Sequence, residues 1–205
     1  PRRGRAGPRA EPRADAVVRG ERAPGRAGSA SRQGAQERRH RGPDSDGVFY
    51  DQTCGLGHRR LSIIDLSDRA SQPMYSSNGR YVIVYNGEVY NYQEIGAKLH
   101  KAGVVEQGVK FKSSSDTEVI LEAFIQYGTD FVQELNGMFA FAIYDLEKKE
   151  LYLYRDRVGI KPLYFYWDEK NFAFASELKA LRQLTQLPFE INQTAVRKFL
   201  HLGYI

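Results

Sequence analysis

Polar residues stand at the ends of predicted strands and helices, where functional sites are usually built. Asn86 and Gly87 follow the β-prone run 81–85, Asp116 opens a helical pattern, and Arg60 lies in an otherwise apolar segment. An amide beside a backbone N–H can stabilise a developing oxyanion. A carboxylate can receive an ammonium group, and a guanidinium can bind a carboxylate through paired hydrogen bonds.

Each of these residues also has a structural interpretation. The Asn-Gly pair at 86–87 is typical of a tight turn, and Asp116 is typical of an acid favoured by the helix dipole. Arg60 could pair with Asp65 or Asp68 of the protein instead of a ligand carboxylate. The local patterns leave these alternatives open.

The single cysteine, Cys54, lies in a run that predicts a strand, so a buried and unreactive thiol is expected. One cysteine excludes an intrachain disulfide framework and a cysteine-rich zinc site. No glycine-rich phosphate loop is present. Metal binding is not predicted either, because no ligand spacing relates the four histidines, His40, His58, His100 and His201.

The positive charge of the chain belongs to one end. The chain has 205 residues and a formal net charge of +5, but residues 1–41 alone hold twelve arginines and four acids. The remaining residues hold 18 bases and 21 acids, so nucleic acid is not the expected partner of the main domain. No apolar run approaches the ~20 residues of a membrane helix, and no secretory signal is visible. A cytoplasmic location is predicted.

The arginine-, alanine-, glycine- and proline-rich segment 1–41 predicts disorder, because it offers too little apolar surface to offset its conformational entropy. It could be a basic arm that binds nucleic acid, an extension without a role, or a stretch that is not the native N-terminus. The third interpretation is favoured, since GC-rich codons read in a wrong frame give this composition.

From Gly42 onward the sequence predicts strands, then helices, then strands. Helices are expected after the caps Asn91 and Ser115, from Ser176, and near 193–201, with four short strands between 138 and 175. This order favours two stacked sheets covered by helices over a Rossmann alternation.

Six motifs together resemble the glutaminase domain of class II glutamine amidotransferases, in particular that of glutamine-hydrolysing asparagine synthases. The resemblance covers residues 40–205 and implies the N-terminal-nucleophile hydrolase fold, an α+β, four-layer αββα sandwich of two antiparallel sheets. The motifs are His40-Arg41-Gly42-Pro43-Asp44, 57–65, Tyr85-Asn86-Gly87-Glu88, 137–142, 155–164 and 175–181.

The resemblance also implies a glutamine site. Arg60 would bind the α-carboxylate, Asp116 the α-ammonium with help from Glu88, and Asn86 and Gly87 would form the oxyanion hole. The same pocket would be lined by Leu61, Ser62, Ile63 and Ile64.

The family's nucleophile, a cysteine made N-terminal by removal of methionine, has no counterpart before His40. We therefore expect the first strand of the sandwich to be missing or aberrant, the glutaminase domain to occupy 42–181, and 182–205 to begin the connection to an absent synthetase domain. ATP and magnesium would serve only that domain, so no cofactor is expected here. The predicted function is glutamine binding and, in an intact protein, hydrolysis that supplies ammonia for amidation of aspartate. A catalytically dead glutamine-binding module, or a module that binds protein or nucleic acid, is the alternative.

Overall fold

Two antiparallel sheets form the centre of the computed structural model, which describes residues 13–19, 45–60, 70–103, 111–168, 171–182 and 190–203. The predicted pocket residues Leu61 to Ile64 and most of segment 1–41 lie outside these ranges, as do parts of the predicted connection 182–205. In the five-stranded sheet the order is β2 (Ser45–Tyr50), β3 (Cys54–Arg60), β1 (Arg13–Arg19), β9 (Asn171–Ala175) and β8 (Tyr164–Asp168). In the four-stranded sheet the order is β4 (Met74–Tyr75), β5 (Tyr81–Val89), β6 (Gly137–Asp145) and β7 (Glu150–Arg155).

Helices cover the outer faces of this pair of sheets. Against the four-stranded sheet lie α1 (Tyr92–Lys101), α2 (Asp116–Tyr127) and a 3₁₀ helix (Gly128–Glu134). The short helix α3 (Leu178–Arg182) contacts β8 and β9 on the other side. A last helix, α4 (Gln193–Leu202), buries none of its residues. Within the described residues, no helix has both the length and the apolar character needed to cross a membrane.

The alternation of side chains along β5 divides the core in two. Val82 and Val84 face the five-stranded sheet, where they pack with Leu56 and Phe174. Ile83 and its neighbours on the opposite face pack against the helices. Because successive strand residues point to opposite faces, a strand that is apolar on both faces must be buried on both, as a central layer of a sandwich requires.

The structure corrects the expectations for the N-terminal segment at residues 13–19. These residues form β1, whose backbone pairs with β3 on one side and β9 on the other, so neither disorder nor a missing first strand describes them. The run Ala16-Val17-Val18 supplies β-branched, apolar residues suited to a central strand. The composition of the whole segment 1–41 predicted disorder, so this short apolar run among arginines was not predicted to be a strand. Whether segment 1–41 is the native N-terminus stays an open prediction.

The helix caps differ in detail from the predicted capping boxes. Ser115 caps α2 by accepting the N–H of Thr117 at 3.2 Å. Asn91 is the N-cap residue of α1, but its side chain makes no capping hydrogen bond; it binds the carbonyl of Glu134 and the N–H of Asn136 instead. Tertiary contacts between α1 and the start of β6 have replaced the local hydrogen bond.

The loop after β7 is organised around one buried carboxylate. Asp156, 6% exposed, accepts the N–H groups of Val158 and Ile160 through Oδ1 and those of Lys161 and Phe139 through Oδ2, at 2.8–3.3 Å. Burial alone would raise the pKa of this carboxyl group, but the backbone donors outweigh it and lower the pKa.

We expect Asp156→Asn to lower the free energy of unfolding by about 3 kcal/mol at pH 7, because the amide nitrogen cannot accept these hydrogen bonds. A lowered folded-state pKa gives stability that is present above the unfolded value and lost as the pH falls through the folded value. Urea titrations between pH 7 and pH 3 should therefore show a smaller acid loss in the variant than in the parent. The exposed Asp130→Asn is the control, and equal stability of the two variants would contradict this role.

Candidate functional site

Asn86 lies inside β5 and not in a turn, so the tight-turn interpretation of the Asn-Gly pair is wrong. The strand continues to Val89 because its backbone stays paired with β6 through Gly137. The Asn86 side chain is 1% exposed and its Nδ2 lies 3.4 Å from Ser176 Oγ, just after β9. Its Oδ1 is buried and has no hydrogen-bond partner among the residues that the structure describes.

The orphaned atom of Asn86 matters because an unsatisfied buried polar atom costs about 1–3 kcal/mol. Rotation of the amide by 180° would let the Ser176 hydroxyl donate to Oδ1 and would leave Nδ2 as the atom without a partner. In either orientation, one polar atom of the amide is available to a ligand between the sheets. This is a property expected of a binding group and not of a core residue.

Gly87 stands where two backbones approach closely. Its φ is +157°, and a Cβ placed on it would lie 2.2 Å from the carbonyl oxygen of Met138 and 2.7 Å from Cα of Phe139. On the opposite strand, a Cβ on Gly137 would lie 2.2 Å from the carbonyl oxygen of Glu88. Only glycine fits at either position, so the close β5–β6 contact fixes the backbone beside Asn86.

Asp116 is the first residue of α2, as its first-turn interpretation predicted, and it also reaches β5. Its Oδ2 accepts the Tyr85 hydroxyl at 2.6 Å and the N–H of Val89 at 3.0 Å. The residue is 4% exposed, and burial raises its pKa, with a further contribution from the negative charge of Glu88; the hydrogen bonds act in the opposite direction. An ammonium group bound beside it would relieve this penalty.

Tyr85 joins the elements around this end of β5. Its N–H donates to Gln72 Oε1 at 2.6 Å, and its carbonyl oxygen lies 3.0 Å from His58 Nε2. Since the carbonyl can only accept, Nε2 of His58 carries the proton. Because β4 has only two residues, side chains of Gln72 and His58 here take the place of a neighbouring strand.

The remaining predicted site residues are described in part. Glu88 is partly buried in β5 with its Cα opposite Met138. Arg60 ends β3, with its Cα opposite Ser45, and its side chain lies outside the described part of the structure. Asn86, Gly87 and Asp116 therefore meet at the same end of β5, where the Asn86 side chain points to the five-stranded sheet and Asp116 contacts the strand from the side of α2. The roles of Arg60 and residues 61–64 stay predictions.

The sequence alone did not predict the contacts that four residues make in this region, namely Tyr85, Gln72, His58 and Ser176. Tyr85, His58 and Ser176 all belong to motifs that were recognised, but the apolar neighbours of Tyr85 favoured a core residue and Ser176 was expected to start a helix. Gln72, His58 and Ser176 contact the site through long-range pairs, 13 to 90 residues apart in the chain, which no local pattern encodes.

Cys54 is buried, as predicted. It is 0% exposed at the opposite end of β3 from Arg60, and burial among apolar side chains, followed by the field of Asp51, raises the pKa of its thiol far above the ordinary range. A protonated, inaccessible thiol is a poor nucleophile.

Comparisons with known proteins agree on one family. A family model described as a glutamine amidotransferase domain matches residues 19–205, ahead of the predicted domain start at 42. Asparagine synthetase 1 (glutamine-hydrolyzing) of Bacillus subtilis is 40% identical over 166 residues, which cover 81% of this chain and 25% of that protein. Asparagine synthetase B (glutamine-hydrolyzing) of Escherichia coli K12 is 42% identical over 144 residues, 70% of this chain and 25% of that protein. The chain thus spans about a quarter of the length of these relatives.

A solved structure supports the fold. Glutamine phosphoribosylpyrophosphate amidotransferase from B. subtilis, complexed with ADP and GMP, superimposes with a TM-score of 0.68 at 21% identity, covering 84% of this chain and 43% of that one. Together with the two stacked antiparallel sheets, this likeness confirms the predicted α+β sandwich.

The close β5–β6 contact can be tested by Gly87→Ala. The added methyl group meets backbone atoms that cannot move without breaking the sheet, so we expect a loss of at least about 2 kcal/mol in the free energy of unfolding, measured with urea. Gly103→Ala is the matched control. Gly103 also has a positive φ, +75°, but there is open space around it. The Gly103→Ala variant should therefore lose only about 1 kcal/mol in the free energy of unfolding. Equal losses at the two positions would show that the contact does not constrain β5.

Proposed function

Because the chain belongs to the glutamine amidotransferase domain family, we propose that the end of β5 binds L-glutamine for hydrolysis of its side-chain amide. The observation that supports this best is the buried pair of groups around one strand end. One is a carboxylate whose burial favours a cationic partner, and the other is an amide with an unsatisfied polar atom. An amino acid that carries a carboxamide offers both complements.

At the amino-acid end, Asp116 receives the α-ammonium and the partly buried Glu88 adds negative charge. Arg60 binds the α-carboxylate, since the planar guanidinium fork matches a carboxylate better than an ammonium group does. Leu61, Ser62, Ile63 and Ile64 follow Arg60 directly in the chain and line the same pocket in this proposal.

At the carboxamide end, Asn86 and Gly87 form an oxyanion hole. The Asn86 amide and the Gly87 N–H donate to the oxygen that becomes negative when a nucleophile attacks the carboxamide carbon. The tight β5–β6 contact holds these donors in place before the reaction, so no reorganisation is needed when the charge develops.

Hydrolysis needs a nucleophile that the described site does not provide, because the sole cysteine of the sequence is the buried Cys54. The chain as it stands is therefore proposed to bind glutamine without hydrolysing it. This observation favours the glutamine-binding module as the second candidate function for the isolated chain.

In the complete protein, we propose that ammonia from this domain serves an ATP- and magnesium-dependent synthetase domain that amidates aspartate, in the cytoplasm. The names of the relatives and the length beyond the matched region support this proposal. The acceptor is chosen outside this chain.

Calorimetry with L-glutamine tests the binding site. We expect the chain to bind L-glutamine and Asp116→Asn to weaken binding by at least ~30-fold, because removal of one partner of a buried charge pair costs about 2 kcal/mol or more. Glu122→Gln is the control on the same helix, since Glu122 is equally buried but binds Ser77. No heat with the folded parent chain, or equal affinity of both variants, would contradict the proposal.

A repaired N-terminus tests the catalytic part. The Cα atoms of Ala14 and Asp15 lie opposite those of His58 and Ala175, so β1 begins at the end of the sandwich that holds Asn86. A chain that starts at residue 13 with Arg13→Met, Ala14→Cys, Asp15→Gly and Ala16→Ile exposes a cysteine after methionine removal, and its free α-amino group can act as the base. We expect this chain to release ammonia from L-glutamine.

The control for this repair carries the same cysteine but keeps residues 1–12, so that its α-nitrogen is an amide, and it should be inactive. Ammonia release by both chains, or by neither when both are folded, would contradict the assigned mechanism.

A further inference from the structure

We propose that Tyr85 is a positioning residue for amino-acid recognition: its hydroxyl holds the Asp116 carboxylate in the orientation that receives a ligand α-ammonium. This inference rests on the proposed function, because it assigns a second residue to the same glutamine site.

The contact itself has the geometry of a strong hydrogen bond. The Tyr85 hydroxyl lies 2.6 Å from Asp116 Oδ2, within the range for a hydroxyl that donates to an ionised carboxylate. Burial, together with the neighbouring carboxylate, raises the pKa of Tyr85 well above its ordinary value, so the hydroxyl remains a donor. Both residues are nearly inaccessible, at 3% and 4% exposure, so water does not compete for this bond.

The Asp116 carboxylate has three donors, one of which is the N–H of Thr117 in the first turn of α2. The Tyr85 hydroxyl and the N–H of Val89 both donate to Oδ2. Two donors on one oxygen fix the plane of the carboxylate. In this proposal the ammonium group approaches Oδ1, and it meets a carboxylate that is already oriented for it.

Tyr85 can orient Asp116 only because its own position is fixed. Gln72 and His58 bind its backbone N–H and carbonyl oxygen, as described above, and its ring contacts Phe141 edge-on with centroids 6.2 Å apart. Asn86 is the next residue along the strand. One rigid segment of β5 therefore serves both ends of the ligand, the ammonium through Tyr85 and Asp116 and the carboxamide through Asn86 and Gly87.

The same hydrogen bond tunes the charge of Asp116. The ionisable groups that act on this carboxylate are Tyr85 and Glu88, both from β5; the N–H groups of Val89 and Thr117 do not titrate. Glu118 and Glu122 of α2 are bound by Ser113 and Ser77, and Lys98 of the adjacent helix α1 pairs with Glu134. Removal of a donor to the ionised form raises a pKa, so loss of the Tyr85 hydroxyl should make Asp116 protonate at a higher pH.

Tyr85→Phe removes the hydroxyl alone, and calorimetry with two ligands measures its effect. L-Glutamine carries the α-ammonium, and glutaramate has the same carboxamide and carboxylate without it. We expect Tyr85→Phe to weaken L-glutamine binding about tenfold and to leave glutaramate binding within twofold of the parent chain. As the pH is lowered, L-glutamine binding should be lost when Asp116 becomes protonated, because binding needs the ionised carboxylate. We expect this acid limb of the binding profile to lie about one pH unit higher in Tyr85→Phe than in the parent chain.

Two further variants make this test specific. Tyr144→Phe removes a hydroxyl that donates to Asp51 at 3.1 Å and should change neither ligand's affinity. Tyr85→3-fluorotyrosine keeps the ring and makes the hydroxyl a stronger donor, so it should move the acid limb to lower pH even if the phenylalanine variant fails to fold.

The outcomes separate the two proposals. If the parent chain binds no L-glutamine, the proposed function fails and this inference fails with it. If the parent binds L-glutamine but Tyr85→Phe changes both ligands equally, or neither the affinity nor the acid limb, the site stands and the positioning role of Tyr85 is overturned.

Discussion

The arrangement of the site depends on the edge of β5. The neighbouring strand β4 pairs with it over only two residues, so at Tyr85 the backbone would have no partner if side chains did not provide one. Gln72 and His58 supply those hydrogen bonds, and His58 does so from the other sheet. On the opposite edge, the close backbone contacts at Gly87 and Gly137 prevent β5 from shifting along β6. A strand held on both edges in this way can present Asn86, Gly87 and the Asp116 contact as one rigid unit.

The buried carboxylates of this chain differ in the groups that surround them. Asp156, Glu118 and Glu122 each bind several backbone N–H or hydroxyl groups of a nearby loop, and these contacts occupy both of their oxygens. Asp116 differs from Asp156 in its pKa: burial raises that of Asp116 despite its hydrogen bonds, whereas the backbone donors lower that of Asp156. An acid that remains costly to ionise after folding is suited to receive a cation, which supports the role proposed for Asp116.

The sequence predicted most of the architecture, and it singled out Asn86, Gly87 and Asp116, but it did not predict the contacts that surround them. Periodicity and caps located β5, β6, α1 and α2, because these elements are long and their apolar faces are regular. The sequence did not predict β1. Its seven residues lie in a segment whose composition indicates disorder, and its pairing partners are distant in the chain. The sequence indicated a possible turn at 86–87 because the two-residue Asn-Gly signal is local, whereas the close approach of Gly137 is a tertiary property. The supporting contacts of Tyr85, Gln72, His58 and Ser176 are tertiary for the same reason.

Nuclear magnetic resonance of the ¹⁵N-labelled chain during titration with L-glutamine tests the central claim most directly, because it observes the two donor groups themselves. The account predicts that the Gly87 backbone N–H and the Asn86 side-chain NH₂ resonances shift together as the ligand saturates the protein, while Gly103 and Cys54 remain unchanged. Saturable binding that leaves Asn86 and Gly87 unperturbed and shifts resonances elsewhere would contradict it.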